Sequence, residues 1–441
     1  MSMQRHELKI IWLVSFSHLM THAFMSILPA VLMMIAAEQG MSFTDIGVIA
    51  NVSYFLYGIG AFPAGYLADR IGSKRLLTVG VGGMAVSSLL VALSQGTVAF
   101  AVAYALLGLF AAIHHPAGLS LVARQVENRR GKAMGLHGVL GNLGMMSAPL
   151  LASLGILLFR SWRAAYLLYG CLGCVFAVTL YLVRVEGEED LDWRLLYRWP
   201  GLLLNRGIAD QSGAITIEAP PPAPTTKPAA GPSVFPASLL FLFVGSILSG
   251  FIFRGSLTFF PALLQREVYF INTSDEPAVL AGTVTSIILS LGLLGAWFGG
   301  WINDKIKRPE LVPIVLFVAV APLLYLIGKF SDTKLLVVSC LFSLIYYAWQ
   351  PSHNYLISRY TRKSSHGLGF GVNFFLLFGI GSAATAVGGY MADKYSIDRF
   401  YLLMSGDAAL ALAAASGVYL LRHWLIRTPF KLVREGDSEK S

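Results

Sequence analysis

Twelve apolar stretches, each long enough to cross a bilayer, leave this chain little choice of architecture. At roughly 20 residues per crossing, they run over 10–36, 44–68, 74–94, 98–123, 132–158 and 163–183, then over 235–264, 278–303, 311–329, 334–360, 366–391 and 399–423. Within lipid, every backbone N–H and C=O must be satisfied inside its own segment, so stretches of this kind fold as helices. The expected fold class is an all-α membrane protein with twelve transmembrane helices in two six-helix bundles. Composition agrees, with 56% hydrophobic and 13% charged residues and a mean hydropathy of +0.65, where a soluble domain carries about 25% charged residues. The first stretch is too long for a signal-peptide core and lacks a small-residue cleavage site, so it is read as a retained helix.

The net charge of +9 raises nucleic acid as a partner, but the cations are scattered over short loops between apolar runs, which is a topology signal. With both termini placed inside, the inner segments collect 25 Lys and Arg and the outer loops seven. That asymmetry predicts a multi-pass protein of the cell membrane, of the bacterial inner-membrane type, with cytoplasmic termini. No nucleic-acid partner is expected. One cation stands apart, Arg254, deep inside the seventh stretch. The three cysteines, Cys171, Cys174 and Cys340, lie inside apolar runs and imply neither a disulfide framework nor a metal site.

The chain divides into residues 1–183, a first bundle; 184–234, a linker; 235–425, a second bundle; and 426–441, a cytoplasmic tail. Within the linker, DWRLLYRWPGLLLNR suits a short helix at the membrane surface, and PPPAPTTKPAAGP buries too little to fold. The two bundles repeat one plan. GYLADRIGSKR at Gly65–Arg75 returns as GWINDK at Gly300–Lys305, mapping Gly65, Asp69 and Arg70 onto Gly300, Asp304 and Lys305 with one shift of 235 residues. The same shift carries Pro116 and Arg124 onto Pro351 and Arg359, while a shift of 232 aligns Pro29 with Pro261 and sets His22 opposite Arg254. Gly65 is expected where two helices approach closely, and Asp69 where a carboxylate meets a helix N-terminus.

GYLADRIGSKR resembles the signature loop between the second and third membrane helices of the major facilitator superfamily. The resemblance implies two pseudo-symmetric bundles, a cavity lined by the first, fourth, seventh and tenth helices, and the third, sixth, ninth and twelfth as outer supports. It also implies that Gly65, Asp69, Arg70, Arg124, Asp304 and Arg359 form a cytoplasmic latch. SHLMTHAFMSILPAVL in the first helix, HHPAG in the fourth and GVLGNLGMMSAPLL in the fifth look like the fosmidomycin-resistance type of efflux protein. That branch implies efflux rather than uptake, and antiport. The second half departs from it, reading WQPSH at the tenth helix, and Ala117 stands where an acid follows the His-Pro step.

The ionisable residues of the spans obey that division of helices. His18 and His22 sit four apart on the first helix and share a face; His114 and His115 lie on the fourth, Arg254 on the seventh, and Gln350, His353 and Asn354 on the tenth. Intramembrane charge is costly and faces a wet cavity or a partner. The substrate-binding set is therefore read as His18, His22, His115, Arg254, Gln350, His353 and Asn354. Arginine's planar fork suits a carboxylate or phosphate, so the expected partner is a small anionic solute. The alternative for Arg254 is a structural role, snorkelling or bonding to carbonyls. His114 and His115, being adjacent, are expected not to share a face, leaving at least one for packing. His137, Asn142 and Asn373 are weaker candidates, since an isolated amide between helices is commonly glue. Asp45 and Asp407 are the carboxylates read inside the spans, neither on a cavity helix. If protons are the coupling ion, the histidines are the expected carriers.

The reading is a secondary transporter working by alternating access, embedded in lipid, monomeric and without a cofactor. A lipid or lysophospholipid flippase and a non-transporting receptor or assembly factor remain alternatives. An enzyme is not expected, because paired acids, a nucleotide-binding glycine loop and a metal cluster are missing.

Overall fold

The structure, a computed structural model, describes residues 4–126, 130–185, 237–361 and 366–425. Within these, twelve apolar helices run as α1 Arg5–Gln39, α2 Phe43–Ala68, α3 Ser73–Leu93, α4 Thr97–Gln125, α5 Ala133–Phe159 and α6 Arg163–Leu182, then α7 Ala237–Glu267, α8 Pro277–Asn303, α9 Leu311–Ile327, α10 Asp332–Tyr360, α11 Leu368–Lys394 and α12 Ile397–His423. Eleven are long enough to span a bilayer by themselves, and α9 is shorter but strongly apolar. Large side chains such as Trp12, Val175, Trp297 and Val315 stand more than half exposed on the outside of the bundle, the surface that lipid covers. The protein is a multi-pass membrane protein. The surface helix and tether expected within 184–234, and the tail 426–441, fall almost wholly outside the described residues.

Two prolines related by the repeat accompany helix breaks, whereas Pro29, Pro149, Pro261 and Pro322 lie inside unbroken helices. Pro116 has no N–H and its ring clashes with the carbonyl four residues earlier, and α4 is interrupted at Ala112–Ile113 before restarting at His114. Pro351 does the same to α10, whose two segments end at Tyr346 and begin again at Trp349. The two breaks are related by the repeat's shift of 235. In α2 a turn at Gly60 precedes Pro63, whereas α8 carries Phe298 at the matching position and runs unbroken. In α11, residues Phe375–Ile380 widen into a π-helix.

Within the first half α1 packs along α5 and α3 along α6; within the second, α7 and α9 both pack along α12. The outer supports α3, α6, α9 and α12 pack inside their own halves. The halves meet through α2 with α11 and α5 with α8, which are equivalent pairs under the repeat, and through α1 with α7. At the centre of the α2–α11 seam, a Cβ on Gly58 would lie only 2.6 Å from Gly379 Cα, so glycine is required for the backbones to touch.

The cross-half polar bonds are not spread evenly. Call the face that carries the start of α1 the near face and the opposite one the far face. The Asp393 carboxylate accepts from the backbone N–H groups of Phe43 and Thr44 at 3.0 and 2.7 Å and from Thr44 Oγ1 at 2.6 Å. Thr385 Oγ1 donates to Gly47 O at 2.9 Å and Asn51 Nδ2 to Ser382 Oγ at 3.0 Å, and Arg160 pairs with Glu276. Among the described residues, all of these bonds lie between mid-membrane and the far face, so the structure is clamped shut at that end.

Candidate functional site

The first half contributes a cluster of histidines. His18 and His22, one turn apart on α1, have ring centroids 4.6 Å apart. His18 also stacks on His137 of α5 at 4.0 Å and on His114 at 5.0 Å, and meets His115 edge-on at 4.9 Å. His114 and His115 were expected on different faces; instead both join the cluster, with centroids 5.2 Å apart. The helix is interrupted at Ala112–Ile113 immediately before this pair, and His114 opens the new segment. His137, ranked lower from sequence, is a full member of the cluster.

Each ring is positioned by a specific bond. His18 Nδ1 donates to the His137 backbone carbonyl at 2.7 Å, His114 Nδ1 shares a 2.8 Å hydrogen bond with Ser17 Oγ, and His115 Nε2 shares one of 2.9 Å with Tyr57 Oη. The close packing of α1 on α5 leaves room for His18 only because position 141 is glycine, where a Cβ would collide with the imidazole.

From the second half, Arg254 of α7 reaches across the seam. Its guanidinium lies 3.9 Å from the Tyr54 ring centroid, with Tyr57, Phe253 and Phe378 at 5.9, 5.3 and 5.2 Å. The residue is only 3% exposed, and its Nε has no hydrogen-bond partner. Among the described residues no carboxylate pairs with it. The repeat sets it opposite His22. Tyr57 lies between Arg254 and the histidines, its ring centroid 5.9 Å from the guanidinium and its hydroxyl on His115 Nε2.

The predicted set does not all converge on this point. Gln350 borders a cavity of about 20 Å³ with Tyr347, Phe253 and Phe378, the last two of which also meet the Arg254 guanidinium. His353 and Asn354 belong to a separate network within the second half: His353 Nε2 lies 2.9 Å from Ser246 Oγ and 3.1 Å from Asn373 Oδ1, Asn373 Nδ2 lies 3.5 Å from Asn354 Oδ1, and His353 stacks on Trp349 at 4.4 Å. This network knits α7, α10 and α11 together. Asn142 borders a smaller cavity between α5 and α8 with Met145, Leu289 and Tyr347.

Of the latch residues, Arg124 donates to Ser73 Oγ at 2.6 Å and Ser120 Oγ at 3.0 Å, tying the end of α4 to the start of α3. Arg359 is half-buried in the last turn of α10. The side chains of Asp69, Arg70 and Asp304 lie outside the described set. Gly65 faces Pro116, where a Cβ would sit at an ordinary 3.6 Å, and Gly300 has nothing within 4 Å. The tight approach expected at that motif occurs at Gly58 instead, where a Cβ would lie 2.6 Å from the Gly379 backbone.

Three features were missed by sequence reasoning. The tyrosines Tyr54 and Tyr57, spaced three apart, carried a signal as polar-tipped residues on one face of a span. The Asp393 clamp carried one too, since Gly389–Lys394 reads GYMADK, a near copy of GYLADR. Phe374 and Phe378, which pack on Tyr57 at 5.2 and 5.7 Å, had none, being two phenylalanines among 27.

Two repeated bundles meeting at a seam, with ionisable side chains buried at mid-membrane where the halves touch, define a membrane transporter. The sequence model of the Major Facilitator Superfamily matches residues 11–386, and the chain belongs to that superfamily. It is 23% identical over 369 residues to the membrane sensor protein UhpC of Escherichia coli K12, covering 82% of this chain and 79% of that one. It is 24% identical over 399 residues to the fosmidomycin resistance protein of the same organism, covering 90% and 89%. Among solved structures, a bacterial homologue of the human lysosomal transporter Spinster, in an inward-facing and occupied conformation, superposes with a TM-score of 0.72 at 13% identity, covering 96% of this chain and 98% of that one.

Proposed function

We propose that the protein exports a small organic anion by alternating access, with Arg254 as the group that holds the anion. The observation that carries this reading is the state of Arg254, 3% exposed, stacked on Tyr54 and without a carboxylate partner among the described residues. A cation–π contact contributes about 0.5–2 kcal/mol, while desolvating an ion costs several kcal/mol. The aromatic rings position the guanidinium but do not offset its burial, so an incoming anion gains most of its charge-assisted bonds. His18, His22, His115 and Gln350 form the remainder of the proposed pocket. His353 and Asn354 act on it indirectly, by holding α7 and α10 in register.

The excess of Lys and Arg on the near-face loops, 25 against seven, supports a cytoplasmic near face. The far-face clamp then closes the outer side, a state suited to loading from within, and the similarity to a fosmidomycin resistance protein supports efflux. The near-face latch of Gly65, Asp69, Arg70, Arg124, Asp304 and Arg359 would close in the opposite state. The test is uptake of a panel of radiolabelled organic anions into proteoliposomes by wild type and Arg254→Ala. At least a tenfold loss for the transported anion is expected; a neutral or cationic substrate moved equally by both proteins would end the anion reading. The similarity to a membrane sensor favours a second reading, a receptor, which predicts anion binding to the purified protein without any flux.

A further inference from the structure

The histidine cluster shares His18 and His115 with the proposed anion pocket and offers chemistry beyond anion binding. Asp407 on α12 has a buried oxygen without a partner, and a small cavity lies between α7, α8 and α10, but each stands alone. The histidine cluster carries more. One ligand atom from each of His18, His114, His115 and His137 lies within 4.8 Å of the others. Moreover, His18 Nε2, His114 Nε2 and both ring nitrogens of His137 are buried with no hydrogen-bond partner. Buried polar atoms are paired in folded proteins, and clustered exceptions call for a ligand, water or ion.

We infer that His18, His114, His115 and His137 form a binding site for a divalent transition-metal ion of the zinc class. The tautomers suit it. His18 carries its proton on Nδ1, because that atom donates to the His137 carbonyl, so its Nε2 presents a bare lone pair. His114 Nδ1 is engaged by Ser17 Oγ, so the tautomer that carries its proton on Nδ1 leaves Nε2 free for a ligand. An outer bond on one ring nitrogen with the other left free is the arrangement that orients a metal-ligating imidazole. Tetrahedral zinc, with Zn–N bonds of about 2.0–2.1 Å, needs its four nitrogens about 3.3–3.4 Å apart, so binding draws the ligand atoms together from within 4.8 Å and turns the stacked rings of His18, His114 and His137 edge-on to the ion. Neutral imidazoles suit zinc, nickel and copper, whereas calcium and magnesium require oxygen donors. No carboxylate belongs to the ligand set, so an anion from solution is the natural counter-charge. The inference rests on ring geometry and does not depend on the anion reading; its readout uses no transported substrate.

The test uses the full chain in lipid nanodiscs in chloride buffer. Equilibrium dialysis against Zn²⁺ followed by elemental analysis is expected to give one ion per chain, and Co²⁺ titration to give the intense visible absorption of a tetrahedral ion. His18→Gln and His137→Gln should each weaken binding at least tenfold, whereas His6→Gln with His423→Gln, exposed and outside the cluster, should leave it unchanged. The cobalt spectrum of the wild type requires no variant and decides the matter even if the cluster variants fail to fold. No stoichiometric ion, a weak six-coordinate spectrum, or binding lost only with His6 and His423 would each overturn the site.

Discussion

Asp393, at the far end of α11, caps the first turn of α2, accepting from Thr44 through both its backbone N–H at 2.7 Å and its hydroxyl at 2.6 Å. A carboxylate against a helix N-terminus meets the unpaired N–H groups and the positive end of the helix dipole together. Here the helix and the carboxylate belong to different halves of the molecule. The bond therefore holds one conformational state as well as one helix end.

Asp393→Asn keeps an acceptor but removes the charge. Discounted for the exposure of the site, the loss is about 1 kcal/mol, about a fivefold shift in a two-state balance. With Cys171, Cys174 and Cys340 replaced by alanine, spin labels at Gln95→Cys and Lys329→Cys in two far-face loops should report a longer, broader distance distribution in this variant. An unchanged distribution would show that the clamp does not set the equilibrium.

Arg254→Lys separates charge from shape. Lysine retains the cation but loses the planar fork and the stack on Tyr54. Transport of the anion is expected to fall between that of wild type and Arg254→Ala, with the loss mainly in apparent affinity, as read from the substrate dependence of proteoliposome uptake. Full activity in the lysine variant would mean that the stack contributes nothing to binding.

Tyr57→Phe removes the hydroxyl that meets His115 and leaves the ring beside Arg254. Loss of one buried hydrogen bond is worth about 1 kcal/mol, so a lower melting temperature and about a fivefold change in apparent substrate affinity are expected, with insertion intact. Unchanged melting and affinity would show that this bond does not couple the histidines to Arg254.

Gly141→Ala places a methyl group on the His18 ring, whereas alanine at Gly138 or Gly135, earlier on the same helix, meets nothing within 4 Å. Overpacking costs about 1–3 kcal/mol, so the first variant should melt lower and the other two should match or exceed wild type in thermal unfolding followed by fluorescence. Equal melting of all three would place the His18 ring elsewhere.

The span plan, the repeat and the presence of rare ionisable residues in the membrane were all determined by the sequence alone. Each rests on local chemistry: an apolar run of sufficient length must form its own hydrogen bonds in lipid, so composition over about 20 residues suffices to recognise a helix. Pro116 and Pro351, matched by the repeat, lie just after the breaks in α4 and α10. What gathers beside those breaks was decided only by tertiary structure. Read along one helix, His114 and His115 are separated, while the structure gathers both around His18 and His137, residues 119 apart in sequence. Arg254 was legible as a buried charge; that Tyr54 of the other half receives it was not. Nor did the sequence determine which copy of the Gly-Tyr-x-Ala-Asp pattern clamps the halves, because pairing between distant helices depends on which faces pack, and apolar length carries no record of that.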